Sequence, residues 1–510
     1  MSSKPHVGII GAGLAGLRCA DILIQNGARV TILEARNRIG GRVYQDELEG
    51  HVVDMGANWI HGQGENPIMS MAQRTQTATF DPEGGSFLVS RDGKFVGEDL
   101  GTKISDFVWS TIAEAFKYSN EHGEGIPTEE SLYDFFQVKV RETSFSEEER
   151  QLVLDTCKLW GAYVGEPIER QSLRFFRLEE CIDGYNYFVA GTYKHILEQV
   201  AKTAQSHANI KLNHPVVNIE APPRNVNESI NQHQVTVTTE SGTRFTFDDL
   251  VITCPLGWLK NNMSVFTPPL PPRLQQAIEN ISYGRLEKVF VKFPHAFWQT
   301  TSTSTSISTD DPNLPTNPTF TQFLDPSYAP RPQHLEWNQE CLSMASLPHP
   351  CSQPTLLFYT YGPGGAHIVD SIASLDPSSS EYKETLIKTL RPFYSRLPGY
   401  DSSSPDCVPS SILATCWQKD PYAGYGSYCN FQVGLEAGDR DIEAMRSGVG
   451  AGEERGLWFA GEHTAPFVAL GTTTGAYWSG ERVAGQICGR RGLGVGVYEG
   501  KDDLLPSGKL

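Results

Sequence analysis

Three groups of residues in this chain have the types and spacing to do chemistry, and the first lies close to the amino terminus. Gly11-Ala12-Gly13-Leu14-Ala15-Gly16 carries glycines as G-x-G-x-x-G, and Glu34 follows twenty-three positions after Gly11. Gly11 permits a tight turn, Gly13 lets the backbone approach a pyrophosphate, and Gly16 lets a helix pack close to a strand. Free N–H groups at that helix start would face the phosphate charge, while Glu34 would accept hydrogen bonds from a ribose diol. An acid there disfavours a 2′-phosphate, leaving FAD or NAD. The second group is Ala35-Arg36-Asn37-Arg38-Ile39-Gly40-Gly41-Arg42, basic and glycine-rich directly after the acid. The third is remote: Phe459-Ala460-Gly461-Glu462, then Thr472-Thr473-Thr474-Gly475-Ala476.

The elements that must position these residues can be read around them. Val7 to Ile10 is an apolar run, after which Leu17, Ala20, Leu23 and Ile24 recur at helical spacing up to Asn26-Gly27, and Arg29 to Leu33 forms a second strand. Strand, glycine turn, helix and strand in that order are the context a dinucleotide site requires. Gly456 to Thr464 reads as a short buried strand ending in an acidic turn, and Thr472 to Ala476 opens a helix carrying Val483, Ala484 and Ile487. Between these ends, Asn209 to Asn213 and Val216 to Ile219 read as strand pieces, Val235 to Thr239 with Arg244 to Phe247 as a hairpin, and Leu250 to Gly257 as a further piece.

Composition bounds the rest. A chain of 510 residues, 39% hydrophobic and 20% charged, is globular and long enough for two domains or more. Its 42 basic and 60 acidic residues give a net charge of −18, which repels phosphate backbones and anionic membranes, so nucleic acid and membrane are not expected partners. No apolar stretch approaches the roughly 18 residues of a spanning helix, and Met1 to Lys4 run into Val7 without signal-peptide anatomy. An intracellular, soluble, cytoplasmic protein is expected. The ten cysteines are scattered without Cys-x-x-Cys pairs, which predicts reduced thiols and no metal site.

Glu34-Ala35-Arg36 with Arg38-Ile39-Gly40-Gly41-Arg42, taken with Gly461-Glu462 and Thr473, resembles the paired signatures of the flavin-containing amine oxidase superfamily. Gly56-Ala57-Asn58-Trp59-Ile60-His61-Gly62 is similar to a loop of the animal and fungal polyamine oxidases in that superfamily. The resemblance implies an α/β fold, with a Rossmann-like, discontinuous FAD-binding domain from residues 1–75, 190–290 and 400–490. An interleaved α+β substrate-binding domain would take 76–189 and 291–399, leaving 491–510 as a tail. It implies FAD held by Gly11, Gly13, Ala15 and Gly16; by Glu34, Ala35, Arg36, Gly41 and Arg42; by Gly56, Ala57, Asn58 and Trp59; and by Val216, Trp417, Gly461, Glu462 and Thr473.

Substrate roles follow from the same resemblance. A lone histidine is more often structural, but in this loop His61 would face the substrate's amines beside Trp59. Lys288, on an alternating strand where a lysine ordinarily meets solvent, would be linked through water to flavin N5. Tyr428 would face the flavin ring, and Glu166 would anchor a distal ammonium. Two departures from monoamine oxidases are informative: Ser427 stands where those enzymes bond the flavin through cysteine, implying non-covalent FAD, and Thr472 replaces a second cage tyrosine, implying an open tunnel.

The expected reaction is oxidation of spermine, spermidine or their acetylated forms at a carbon beside nitrogen, giving an aldehyde, a shorter amine and, with O2, hydrogen peroxide. Monoamine-type oxidation and a flavin-fold protein that only binds ligand remain as alternatives. An amino-acid oxidase would need an arginine clamp that the Asn58–His61 loop lacks, and a demethylase of the superfamily an amino-terminal helical module and heptad hairpin that do not occur here. Which polyamine, and the oligomeric state, stay open. Ser/Thr- and Pro-rich residues 300–354 read as a surface loop. The ending Gly508-Lys509-Leu510 approaches a peroxisomal tripeptide, with glycine where serine is usual.

Overall fold

The computed structural model describes residues 4–82, 86–224, 234–299, 317–331, 335, 337–452 and 454–494. The two apolar runs read near the amino terminus are adjacent parallel strands, His6–Ile10 and Arg29–Leu33, with the helix Leu14–Gln25 crossing between them. Three more parallel strands from far along the chain complete a five-stranded sheet in the order Leu457–Phe459, Asp249–Ile252, His6–Ile10, Arg29–Leu33, Asn209–Lys211. Apart from the edge strand Asn209–Lys211, these short strands are mostly apolar and buried because a parallel sheet is covered on both faces. One cover is the helix Leu14–Gln25, packed against Lys194–His207 and Thr473–Arg491.

The expected hairpin forms as read: Val235–Thr239 pairs antiparallel with Arg244–Phe247, in a four-stranded sheet that also holds Val216–Glu220 and Phe266–Thr267. A third, six-stranded sheet runs Ser411–Ala414, Leu286–Lys292, Thr355–Tyr361, Gln339–Ser343, Phe320–Phe323, Ser86–Val89. It corrects the reading of residues 300–354 as a loop, since two of its strands come from that stretch. The reason lies in burial: every residue of Gln339–Ser343 is buried, so no alternation marks the strand in sequence. Residues 300–316 lie outside the described residues.

Helices of the 76–189 stretch pack over that sheet's edge. Glu98–His122 is the longest, and Leu132–Arg141 and Glu147–Cys157 are each opened by a capping box, Ser131 with Asp134 and Ser146 with Glu149. The ten cysteines form no disulfide with one another. Among the described residues, no helix is long and apolar enough to cross a membrane, and no group of three His, Cys, Asp or Glu side chains could hold a metal.

Candidate active site

At the carboxyl end of the central parallel strand the chain turns through Gly11, whose φ of +102° is open to glycine alone among common residues, and a Cβ there would lie 2.6 Å from Thr253 Oγ1. A Cβ on Gly16 would stand 2.2 Å from Gly11 O, so helix and turn touch only because both are glycine. Gly13 has nothing within 4 Å of where its Cβ would be: its bare backbone faces a cavity. The first helical hydrogen bond is Leu17 N–H to Gly13 O, and Gly13 makes no side-chain cap, so the amides of Leu14, Ala15 and Gly16 remain for a ligand. Glu34, buried, accepts from Ala12 N–H at 2.7 Å and Arg36 N–H at 2.9 Å. A carboxylate offers about four acceptor sites, so two remain for a ribose diol.

The second motif folds back on the first through Gly40 N–H to Ala12 O, 2.8 Å. Arg36 pairs with Asp420 at 2.8 Å, and Ala35, Gly41 and Val216 line the same wall. Arg42 then reaches the far end of the chain: its Nη1 donates to Glu462 Oε1 at 3.0 Å, to Ser427 O at 2.5 Å and to Tyr283 Oη at 3.2 Å. Burial pushes the Glu462 carboxyl up, but Arg42, His463 and Cys429 outweigh it and hold it below its ordinary value. Thr473 opens the helix Thr473–Arg491 with its Oγ1 3.1 Å from Tyr193 Oη. Tyr193 in turn donates to Trp59 O at 2.6 Å, tying that helix to the Gly56–His61 loop.

The cavity lined by these segments has a volume of about 1200 Å³ and continues past Gly56, Ala57, Asn58 and Trp417 to Lys288, His61 and Tyr428. Strand alternation explains how Lys288 comes to point inward. Its neighbour Glu287 faces the other way and accepts from Trp417 N–H at 3.1 Å and Gln418 N–H at 2.8 Å, which fixes Trp417. Lys288 itself is 5% exposed, its Nζ donating to Asp54 O at 3.1 Å and to Gly56 O. Burial lowers the Lys288 ammonium's pKa, with Asp54 opposing the shift. The same burial raises the Asp54 carboxyl. His61 is half-buried, 3.3 Å from Asn186 Oδ1, and burial holds its imidazole toward the neutral form. Asn58 Nδ2 and Trp59 Nε1 both donate to Tyr359 Oη at 3.0 Å. Tyr428 Oη donates to Tyr163 O.

This cradle fits a dinucleotide at one end and a redox centre at the other, and a family model for flavin containing amine oxidoreductases matches residues 14–488. The chain belongs to that family. Flavin on a dinucleotide cradle is FAD. Relatives of this flavin oxidoreductase include a protein named probable polyamine oxidase 4 from Arabidopsis thaliana, 31% identical over 58% of this chain and 59% of its own. The peroxisomal N(1)-acetyl-spermine/spermidine oxidase of Homo sapiens is 27% identical over 95% of this chain and 94% of its own. The chain spans 56–60% of the length of the first curated relatives it matches. Wild-type putrescine oxidase bound to putrescine shares the fold, with a TM-score of 0.66 at 20% identity over 96% of this chain and 99% of that one.

Most residues singled out in the sequence of this family member meet around the one cavity, with one correction. Glu166 does not line it: the carboxylate is buried and bidentate to Arg285, at 2.5 Å to Nε and 3.0 Å to Nη2, so no lone carboxylate is offered there. Thr472 lines the cavity, but its hydroxyl is engaged as a helix cap, accepting from Gly475 N–H at 2.9 Å and donating to Ala469 O at 2.8 Å. Sequence reasoning missed two carboxyls in the wall, the buried Glu340 and the half-buried Glu179, each pushed up to about 7 by desolvation. Glu340 Oε2 accepts from Gln322 Nε2 at 2.6 Å. Their signal was weak, since Glu340 sits in the stretch read as loop and Glu179 in a 3-10 turn of mixed polarity.

Proposed function

We propose that this protein is an FAD-dependent oxidase of polyamines, of the spermine, spermidine or N-acetylated class, yielding an aldehyde and a shorter amine. One observation carries the reading: a single cavity runs from the dinucleotide cradle to a buried lysine, between aromatic walls that also hold the carboxyls of Glu340 and Glu179. Bound there, FAD would accept two electrons and a proton from the C–H bond beside an amine nitrogen, with dioxygen as final acceptor and hydrogen peroxide as product; water would then hydrolyse the resulting imine, breaking its C–N bond to leave the aldehyde and the shorter amine.

The cofactor would be held by Gly11, Gly13, Ala15 and Gly16 at the pyrophosphate, Glu34 at the ribose, Val216 near the adenine, and Arg42, Glu462 and Thr473 further along. The unit formed by 1–75, 190–290 and 400–490 would supply those residues, with the remainder walling the substrate. Attachment would be non-covalent: Ser427 precedes Tyr428, and Cys429 is buried with its N–H on Glu462.

An amine loses hydride from its α-carbon only when its nitrogen is neutral. Apolar enclosure disfavours the ammonium, and an uncharged His61 can accept a hydrogen bond from the reacting nitrogen without repelling it. Trp59, Trp417 and Tyr428 would bracket the α-carbon. In its protonated form, held by the Asp54 and Gly56 carbonyls, Lys288 would supply a positive charge where negative charge develops as dioxygen accepts electrons. Glu340 and Glu179 replace Glu166 as the acids for the remaining ammoniums. Operation in the cytoplasm or the peroxisome is proposed as well; the terminal Gly508-Lys509-Leu510 lies outside the described residues, and localisation of a tagged chain with and without it decides. The test of activity is anaerobic addition of spermine to the purified yellow protein: the flavin band bleaches and returns with air and peroxide. A band unchanged by every polyamine tried refutes the proposal.

A further inference from the structure

The strand Leu286–Lys292 carries two buried lysines, of which only Lys288 lines the cavity. Side chains alternate along a strand, so Lys288, Phe290 and Lys292 share a face, and a rise of about 3.3 Å per residue puts the Cα atoms of the two lysines roughly 13 Å apart. That face lies against the hairpin of Gln45–Leu48 and His51–Asp54, with Phe290 in one apolar cluster with Leu48, Val53 and Met55. The ammonium groups take the two ends of the hairpin. Lys288 Nζ donates to Asp54 O and Gly56 O, where the chain runs on into the Gly56–His61 loop. Lys292 Nζ donates to Glu49 O at 2.5 Å, Leu48 O at 3.3 Å and His51 Nδ1 at 3.0 Å, so each of its three N–H donors has an acceptor at the turn.

A hairpin turn ordinarily leaves its carbonyls to water. This one, with φ of +43° at Glu49 and +80° at Gly50, gives them to a lysine 243 positions away. Ser410 adds a second tie, its Oγ donating to Glu49 Oε2 at 2.7 Å and its N–H to Lys292 O at 2.8 Å. Apolar contact is non-directional, so Phe290 with Leu48 and Val53 would hold the hairpin on the strand without fixing where along it. Directed hydrogen bonds at both ends fix it. A slip at the turn would pass down the hairpin ladder to the two carbonyls that hold the Lys288 ammonium, and to Met55 O, which accepts from Trp417 Nε1 at 3.0 Å.

We propose that Lys292, outside the cavity, is a positioning residue for the flavin site: its grip on the Leu48–His51 turn sets where the Gly56–His61 loop and the Lys288 ammonium stand. The inference rests on the reading of Lys288 as the charge that serves dioxygen.

The test is a double-mutant cycle on the holoenzyme with Lys288→Met, Lys292→Met and both together. The flavin is reduced by light and mixed with O2 in a stopped-flow instrument, so the result does not depend on which amine is the substrate, and failure of the polyamine reading would show only in the bleaching experiment. Lys292→Met should slow reoxidation by about tenfold, less than the roughly hundredfold that a misplacement of about 1 Å can bring. Once Lys288 is methionine it should slow it no further. Amide hydrogen exchange in Lys292→Met should quicken over residues 45–56 and stay at the wild-type rate in the strand His6–Ile10. His51→Leu, which removes one acceptor, should move both readouts the same way by about threefold. Equal slowing in both backgrounds, unchanged reoxidation, or exchange that quickens throughout the chain overturns the positioning role. If Lys288→Met reoxidises like wild type, the reading of Lys288 falls and this inference with it. Should Lys292→Met fail to bind flavin, His51→Leu decides alone, and wild-type values of both readouts in it overturn the proposal.

Discussion

Lys288 and Glu340 are both charged residue types placed almost out of water, and each is costly unless it is used. Replacing Lys288 by methionine keeps its length and removes the cation. Reoxidation of the reduced flavin by O2 should then slow by about a hundredfold, in line with loss of one preorganised electrostatic group, while anaerobic reduction changes far less; stopped-flow absorbance separates the two halves. Equal slowing of both would assign Lys288 to shaping the pocket. Glu340 gives a pH signature. Its folded pKa is raised from 4.5 to about 7, so between those values the unfolded chain has released the proton and the folded chain still holds it. Stability contributed by this group therefore falls as pH rises through that window and is level above it. Glu340→Gln should gain on wild type by about 1–3 kcal/mol between pH 4 and pH 8 in denaturant titrations. Parallel curves would exclude Glu340 as the titrating group. At this scale the cradle was legible, because what Gly11, Gly13 and Gly16 do is local backbone geometry. Glu166 misled because its partner Arg285 lies 119 positions away, and sequence carries no sign of that ion pair.

Elements were read best where burial and spacing coincide. The strand–turn–helix at residues 6–25 and the hairpin at 235–247 were found because their periodicity is clean. Strands Phe320–Phe323 and Gln339–Ser343 were not, because each is buried along most of its length with polar residues inside, Gln322 and Glu340 satisfying one another rather than marking a solvent face. The stripe Ser105, Trp109, Ile112 and Phe116 of helix Glu98–His122, which lines the cavity, escaped notice for a related reason, since an apolar residue facing a void and one facing a core look alike in sequence. Thr472 is an element-scale residue, the N-cap of a helix whose first turn lines the cavity. Thr472→Ala should cost about 1 kcal/mol in chemical denaturation, whereas Thr472→Ser, which keeps the capping oxygen, should stay near wild type. If both substitutions behave alike, the cap is not what this hydroxyl contributes.

Across the whole molecule, the cradle exists only because segments hundreds of residues apart close on one another, and Arg42 with Glu462, 420 positions apart, is one of the contacts that join them. Glu462 is buried and Arg42 a quarter exposed, so removing the arginine leaves a buried carboxylate without its partner, at a cost of about 3 kcal/mol. Arg42→Met should therefore destabilise far more than a surface arginine change. The sign of its pH dependence follows from Glu462, whose carboxyl is held below its unfolded value: the stability it contributes is present above about 4.5 and is lost as pH falls. The gap between wild type and Arg42→Met should thus narrow on acidification, as the orphaned carboxyl takes up a proton. Pairing the change with Glu462→Gln should recover part of the loss, because no unpaired charge remains. FAD gives the last readout. A ligand that binds only the folded chain stabilises it by about 2.7 kcal/mol at a hundredfold excess over Kd, so added FAD should raise the wild-type melting temperature and leave that of Arg42→Met nearly unmoved. An equal rise in both would mean that closure of the distant segments does not depend on this pair.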